Sequence, residues 1–228
     1  MTSAELIQSF KVGVDKTDSL NYANFELDEI LLFLNQGQER FVKQRYGLTN
    51  TKRQSFEETQ KRTDDLRELI KQVTISPNAA SSQNSTNGRF FNLPSASGEE
   101  YWFAIREEAL ISYTDCHGDT VTSQVMIKPI NHDDYNKFVR DPFNKPGKDL
   151  VLRLMYEDKT ELLTDGSFSL VNYILRYIKK PIKITSSITS ELAEHTHQEI
   201  VNAALDVALE NIQAQRNQTF GKTLNTEE

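Results

Sequence analysis

Two stretches of helical periodicity bracket a β-rich middle, and that order limits the fold more than any other feature of the chain. Between residues 26 and 46, Leu27, Ile30, Leu31, Leu34, Phe41 and Arg45 recur at three- and four-residue steps, the spacing of one helix stripe. Glu26, Asp28 and Glu29 suit its first turn and Arg40, Lys43 and Arg45 its last, as the helix dipole prefers. Gly47 stands where a helix-terminating glycine belongs. A second helix is expected from Ser55, where Ser55-Phe56-Glu57-Glu58 reads as a capping box, with Phe56, Leu66, Leu69, Ile70 and Val73 on its face. A short linker between these two helices implies an antiparallel hairpin. The closing helix is expected over residues 189–216. Val201, Leu205, Ala208, Leu209 and Ile212 form its seam, widened by Ile200, Ala204 and Val207. Residues 3–12 fit a short opening helix.

The middle has a different rhythm. Tyr101-Trp102-Phe103-Ala104-Ile105 and residues 109–113 are aromatic and β-rich, and residues 121–130 alternate through Val121, Ser123, Val125 and Ile127. Residues 150–156 and 160–163 flank Glu157-Asp158-Lys159 as a hairpin, and residues 168–178 form a longer apolar run before Pro181. Asn131 caps a short helix that must stop before Pro142. Nine glycines leave little material for tight hairpins, so a modest sheet is expected. Helices, then strands, then a helix make the class α+β: a helical hairpin and C-terminal helix packed with a small, mainly antiparallel sheet. The expected organisation is a helical region 1–75, a polar loop 76–98, a β-rich region 99–186, a C-terminal helix 187–216 and a tail 217–228. Residues 76–88 lack large apolar groups, so they are expected to be an exposed loop or to be ordered by a neighbour.

Composition enters through charge. The net charge of −7 is unevenly distributed: residues 187–228 hold two Lys or Arg against seven Asp or Glu. No basic stripe of the kind that grips phosphates is present, so a DNA-gripping role is disfavoured. The longest apolar run, Ile30-Leu31-Leu32-Phe33-Leu34, is far short of the roughly 20 residues that span a bilayer. Met1-Thr2-Ser3-Ala4-Glu5-Leu6 has no signal-peptide pattern, and the single Cys116 cannot form an internal disulfide. A soluble protein of a reducing compartment is the expectation.

Chemistry-bearing letters are few. Cys116-His117 sits on a Gly118-containing turn, where adjacent side chains generally point apart. His195 and His197 are two apart on an expected helix, unlike the four-residue spacing that lets two imidazoles share a zinc. His132-Asp133-Asp134 is explained by acidic first-turn residues behind an Asn cap. There is no phosphate-cradling glycine loop, nucleophile elbow or spaced carboxylate set. No enzyme, cofactor or metal site is expected. The cations Arg176, Lys179, Lys180 and Lys183 read as a solvated edge strand, with contact to an acidic partner second.

Several stretches together resemble the ring proteins of the head-to-tail connector in crAss-like short-tailed bacteriophages. They are Leu27-Asp28-Glu29-Ile30-Leu31-Leu32-Phe33-Leu34-Asn35-Gln36-Gly37-Gln38, then Phe91-Asn92-Leu93-Pro94 with Tyr101-Trp102-Phe103. Pro129-Ile130-Asn131-His132-Asp133-Asp134-Tyr135, Asp141-Pro142-Phe143-Asn144-Lys145-Pro146 and Tyr177-Ile178-Lys179-Lys180-Pro181 follow, and residues 199–210 complete the series. Gly37 stands where related first helices carry alanine, which suggests close helix approach there. The resemblance implies a structural virion protein, assembled in the host cytoplasm into a closed, twelvefold ring. The ring would stack between the portal and other tail ring proteins, its lumen passing DNA without binding it specifically. The distal seam and tail, Leu209, Ile212, Arg216 and Phe220, are expected to dock on the portal or an adjoining ring. The alternative is a monomeric cytosolic protein-binding module or assembly factor without catalytic activity.

Overall fold

The computed structural model describes residues 1–17, 25–47, 56–79, 82, 84 and 88–211. These form two compact units. One joins the N-terminal residues through Leu69 to those from Pro181 onward; the other is the continuous segment Ile70–Lys180.

The first unit is helical. Its elements are α1 (Ser3–Thr17), α2 (Leu27–Tyr46), α3 (Gln60–Leu66) and a helix at His197–Asn211, numbered α5 below because a short α4 lies in the other unit. α1 runs five residues past the expected end. Thr2 and Glu5 cap it reciprocally, the Thr2 amide donating to Glu5 at 2.8 Å and the Glu5 amide to Thr2 Oγ1 at 3.3 Å. α2 occupies nearly its expected span, and the Gly47 amide closes it by donating to the Lys43 carbonyl. Gly47 does so with φ at −70°, so the left-handed cap expected of a glycine there is not used. The apolar faces of the helices meet in a core built from Leu6, Phe10, Ile30, Leu34, Val201, Ala204, Leu205 and Ala208. Phe10, Phe25 and Phe33 close one side of it as an aromatic trio, with centroids 5.5–6.1 Å apart.

The closing helix starts later than expected. Residues 189–193 are not helical, and a 3₁₀ turn, Glu194–Thr196, leads into α5 at His197. Side chains there offer the backbone other partners: Ser190 Oγ accepts from the Leu192 amide, and His197 Nε2 donates to the Leu192 carbonyl. The Asn35-Gln36-Gly37-Gln38 stretch explains how the preceding segment is held. Asn35 donates to the Ile184 carbonyl and accepts from the Ile184 amide, pairing with backbone as a strand would. Gln38 donates to the Ile182 carbonyl and accepts from Ser190 Oγ. Between them Gly37 faces Ala204 of α5.

The second unit is a seven-stranded sheet. Its strands are β1 (Ile70–Ile75), β2 (Arg89–Asn92), β3 (Tyr101–Thr114), β4 (Thr120–Pro129), β5 (Leu150–Met155), β6 (Lys159–Leu163) and β7 (Ser169–Lys179), in the spatial order β1-β7-β3-β4-β5-β6-β2. Every pairing is antiparallel except β4–β5, so the sheet is mixed. The parallel pair follows from its connection, which runs through a 3₁₀ turn at His132–Asp134 and α4 (Tyr135–Arg140). The sheet curls: Phe91 of β2 and Tyr173 of β7 come within 5.7 Å between ring centroids, although four strands lie between theirs in the order. Inside the curl lie Phe91, Ala109, Ile111, Ile127, Val151, Leu162, Tyr173 and Leu175. On the opposite face, Leu152 and Leu154 of β5 are covered by Tyr135 and Phe138 of α4.

Three expectations are corrected here. The second helix ends early: after α3 and a 3₁₀ turn at Arg67–Leu69, Ile70 and Val73 belong to β1, paired antiparallel with β7. Val73-Thr74-Ile75 contains two β-branched neighbours of threonine, better suited to a pleated surface than to a helix. The capping box at Ser55 lies partly outside the described residues. β7 is no edge strand, because it pairs with β1 on one side and β3 on the other. Within it Lys179 is buried, its ammonium donating to the Gly98 carbonyl at 3.0 Å, and Arg176 donates to Gln72. The sheet is also larger than glycine content suggested, since its long strands need few turns. Gly118 and Gly166 serve the β3–β4 and β6–β7 turns with φ of 90° and 87°.

Candidate functional site

The letters that could carry catalysis are accounted for by local structure. Cys116 Sγ does approach His117 Nδ1, at 3.3 Å, where adjacent side chains were expected to diverge. Asp115 explains the approach: its Oδ1 accepts from the amides of His117 and Asp119, folding the turn tightly, and its Oδ2 lies 3.7 Å from the same imidazole. Cys116 and His117 are both exposed on that turn. His132 directs Nε2 at the Met155 carbonyl and meets the Tyr156 ring edge-on, 5.1 Å between centroids. Among the described residues, no group of three His, Cys, Asp or Glu side chains is placed to hold a metal ion. No described helix is long and apolar enough to cross a membrane.

His195 and His197 serve different structural ends. His195 Nε2 lies 2.8 Å from Asp65 Oδ1, and the other oxygen of Asp65 is 3.0 Å from Arg45 Nε. Arg45 also pairs with Glu199, which Lys61 approaches at 3.8 Å. This network ties the end of α2 to α3 and to the start of α5, with Asp65 wholly buried. His197 is buried, and desolvation holds its pKa below the ordinary imidazole value, outweighing its hydrogen bond to Leu192. Sequence reasoning placed both histidines on one helix and missed Asp65 altogether.

The polar segment 76–88 is anchored from within its own chain at the two interior positions described. Glu161 of β6 is buried and accepts from Ser82 Oγ, from the Asn84 amide at 3.0 Å, from Asn84 Nδ2 at 2.6 Å and from Tyr156 at 2.8 Å. Tyr135 in turn donates to the Asn84 carbonyl. Burial alone would raise the Glu161 pKa, but these donors together bring it below the usual carboxylate range.

Among the described residues, a few large apolar side chains are left outward, Phe143 foremost. After α4, Asp141-Pro142-Phe143-Asn144-Lys145-Pro146 turns back toward β5 with Phe143 93% exposed. The turn is rigidly specified. Asp141 Oδ1 accepts from the Phe143 amide at 3.0 Å and Oδ2 from Asn144 Nδ2 at 2.6 Å, while Lys128 Nζ donates to Asn144 Oδ1 at 2.8 Å. The Asn144 bond and the Phe143 amide lower the Asp141 pKa, and buried Pro146 seats the far end. Met126, two residues before Lys128 on the same face of β4, is 72% exposed. On α2, Leu27 and Leu32 are exposed among Glu26, Asp28 and Glu29. Of the residues expected to form a docking surface, Leu209 is described and is 1% exposed. Ile212, Arg216 and Phe220 lie outside the described residues, as does the tail 217–228.

The described residues thus combine exposed apolar side chains with a few buried carboxylate ties, centred on Asp65 and Glu161. Comparison with known proteins supplies the family. The family model described as phage tail ring protein 3/4 matches residues 1–220. Ring protein 3 of Bacteroides phage crAss001 is 30% identical over 168 residues, which cover 71% of this chain and 69% of that protein. Ring protein 4/5 of the same phage is 23% identical over 201 residues, covering 78% and 79%. With the match running through both compact units, the chain belongs to the phage tail ring protein 3/4 family.

Proposed function

We propose that this protein is a non-enzymatic structural subunit of the virion, forming a closed, twelvefold ring in the head-to-tail connector between the portal and the lower tail. The observation that carries the reading is the family match from residue 1 to residue 220, which covers both the helical unit and the sheet. A ring of identical subunits uses two different surfaces on each copy, so it needs exposed anchors of the kind found on the Phe143 turn and on α2. The charge balance supports a lumen that passes DNA without gripping it, because phosphates find no basic stripe to neutralise them. Leu209, Ile212, Arg216 and Phe220 are proposed to mark the approach to the portal or an adjoining ring. Leu209 closes the subunit core at that end, and the residues beyond it supply the contact. Subunits are made and assembled in the host cytoplasm.

Quantitative mass spectrometry of purified virions tests the proposal. The expected result is this chain at a copy number equal to that of the portal or a small multiple of it. Absence from virions, with the chain abundant in infected cells, would instead favour a soluble assembly factor.

A further inference from the structure

The Phe143 turn and the start of α2 are complementary in both apolarity and charge. Phe143 is displayed by a turn that three side chains hold in place, so the backbone that carries its ring is set before any partner arrives. Preorganisation of this kind lowers the entropic cost of docking. The chain around it is basic on balance: Arg140 and Lys145 are exposed on either side and Lys137 and Lys148 lie just beyond, against Asp141, which is spent on the turn itself, and Asp149. On α2, Leu32 is 55% exposed one turn after Asp28 and Glu29, with Leu27 and Glu26 exposed at the helix start. An apolar anchor flanked by cations and an exposed leucine with carboxylates one turn before it occur on the same chain, on different compact units.

We propose that the Phe143 turn of one copy seats on Leu32 of the next copy, with Arg140 and Lys145 facing Glu26, Asp28 and Glu29. The partner is a second copy of this chain, because this chain itself carries both halves of the complementary pair. A contact between unlike surfaces leaves each copy with one half open, so addition continues until the ring closes. The aromatic ring supplies the buried anchor, and the charges set the register and exclude wrong partners. The inference rests on the ring reading and names the surface through which the ring closes.

Purified virions treated with a zero-length carbodiimide provide the test, since this reagent joins a lysine amine to a carboxylate only where the two touch. The expected product is a Lys145 link to Glu26, Asp28 or Glu29, recovered from the covalent dimer band and absent from the monomer band. In host cells supplying the subunit from a plasmid, R140E/K145E should lower its incorporation into particles by about tenfold or more, as like charges then face one another. Adding D28K to that variant, which leaves the Glu26–Glu29 capping box of α2 intact, should raise incorporation at least about threefold, a rescue that a merely structural defect would not show. Phe143→Ala should lower incorporation without lowering the melting temperature of the free subunit. If the chain is present at ring copy number but Lys145 links only to another protein, or copies link to each other solely through other lysines, this interface is wrong and the ring reading stands. If the chain is missing from virions, both fall.

Discussion

Gly37 of α2 lies against Ala204 of α5 so closely that a Cβ at position 37 would stand 2.7 Å from the Ala204 amide nitrogen and 2.8 Å from its Cβ. The Ile200 carbonyl would be equally near, at 2.8 Å. Backbone atoms cannot swing aside as a side chain can, so the glycine sets the separation of the two helices. Gly37→Ala gains about 1 kcal/mol of helix propensity. The overlap should nevertheless prevail, giving a net loss of about 1–3 kcal/mol in urea unfolding. A more stable variant would show that the helices can part without cost.

Asp65 is the hub of the ionic network in the helical unit. Asp65→Asn keeps the shape but leaves Arg45 without its fully buried counter-charge, and it offers one acceptor oxygen where Arg45 and His195 each face one. Breaking a buried pair from one side typically costs about 3–5 kcal/mol. A loss near the lower end is expected, since Glu199 continues to neutralise Arg45. Denaturant titration of both proteins measures the difference.

Acid should loosen the two units in sequence. His197 has a folded pKa below its ordinary 6.5, so the neutral form is favoured in the native state. Its stabilising contribution is complete above 6.5 and is lost as pH falls through the lower folded value. Glu161 also has a lowered pKa, so its contribution is present above its ordinary 4.5 and is lost only as pH falls further. Hydrogen exchange on lowering pH should show α5 losing protection before β6 does. The reverse order would contradict the assignment.

Glu161→Gln should release Ser82 and Asn84 while the sheet persists. The expected reading is faster amide exchange at Asn84, with little change in β5. Unaltered exchange at Asn84 would mean that something other than this carboxylate holds the segment.

Deleting residues 214–228 should leave thermal unfolding of the free subunit almost unchanged while abolishing incorporation into particles. Normal incorporation of the truncated chain would remove the tail from the docking surface. The free subunit should likewise show no measurable affinity for duplex DNA at physiological salt, checked by fluorescence anisotropy; sub-micromolar binding with a steep salt slope would contradict a non-gripping lumen.

Much of the architecture was legible in the letters. The α2 stripe from Ile30 onward, the described part of the α5 seam, the β5–β6 hairpin and the short helix after Asn131 follow from local periodicity and turn chemistry and occur where expected, while Leu27 at the head of the stripe is exposed. Gly37 was readable as a point of close approach because a glycine inside a strong helix is costly. The misses share one cause: they depend on partners far along the chain. Ile70 and Val73 satisfy a helix spacing and a strand equally, and only β7, a hundred residues later, decides. Lys179 looked solvated because nothing nearby announces the Gly98 carbonyl that receives it. Glu161 looked like one more charge in a hairpin, yet its donors Ser82 and Asn84 lie 79 and 77 residues upstream. Phe143 had the opposite problem: six turn-forming letters do not reveal whether the phenylalanine among them points in or out.

The route of the chain bears on how the subunit comes into being. The sheet begins at Ile70, which pairs with Ile178, so its first and last strands lie side by side and the segment between them is closed on itself. On the ribosome that segment holds everything it needs once β7 has emerged. The helical unit does not, because α1 and α2 have no Val201, Ala204 or Leu205 to pack on until α5 is made. The two halves of this protein therefore mature in the opposite order to their first residues: the inserted sheet is finished while the helices that precede it still wait for α5.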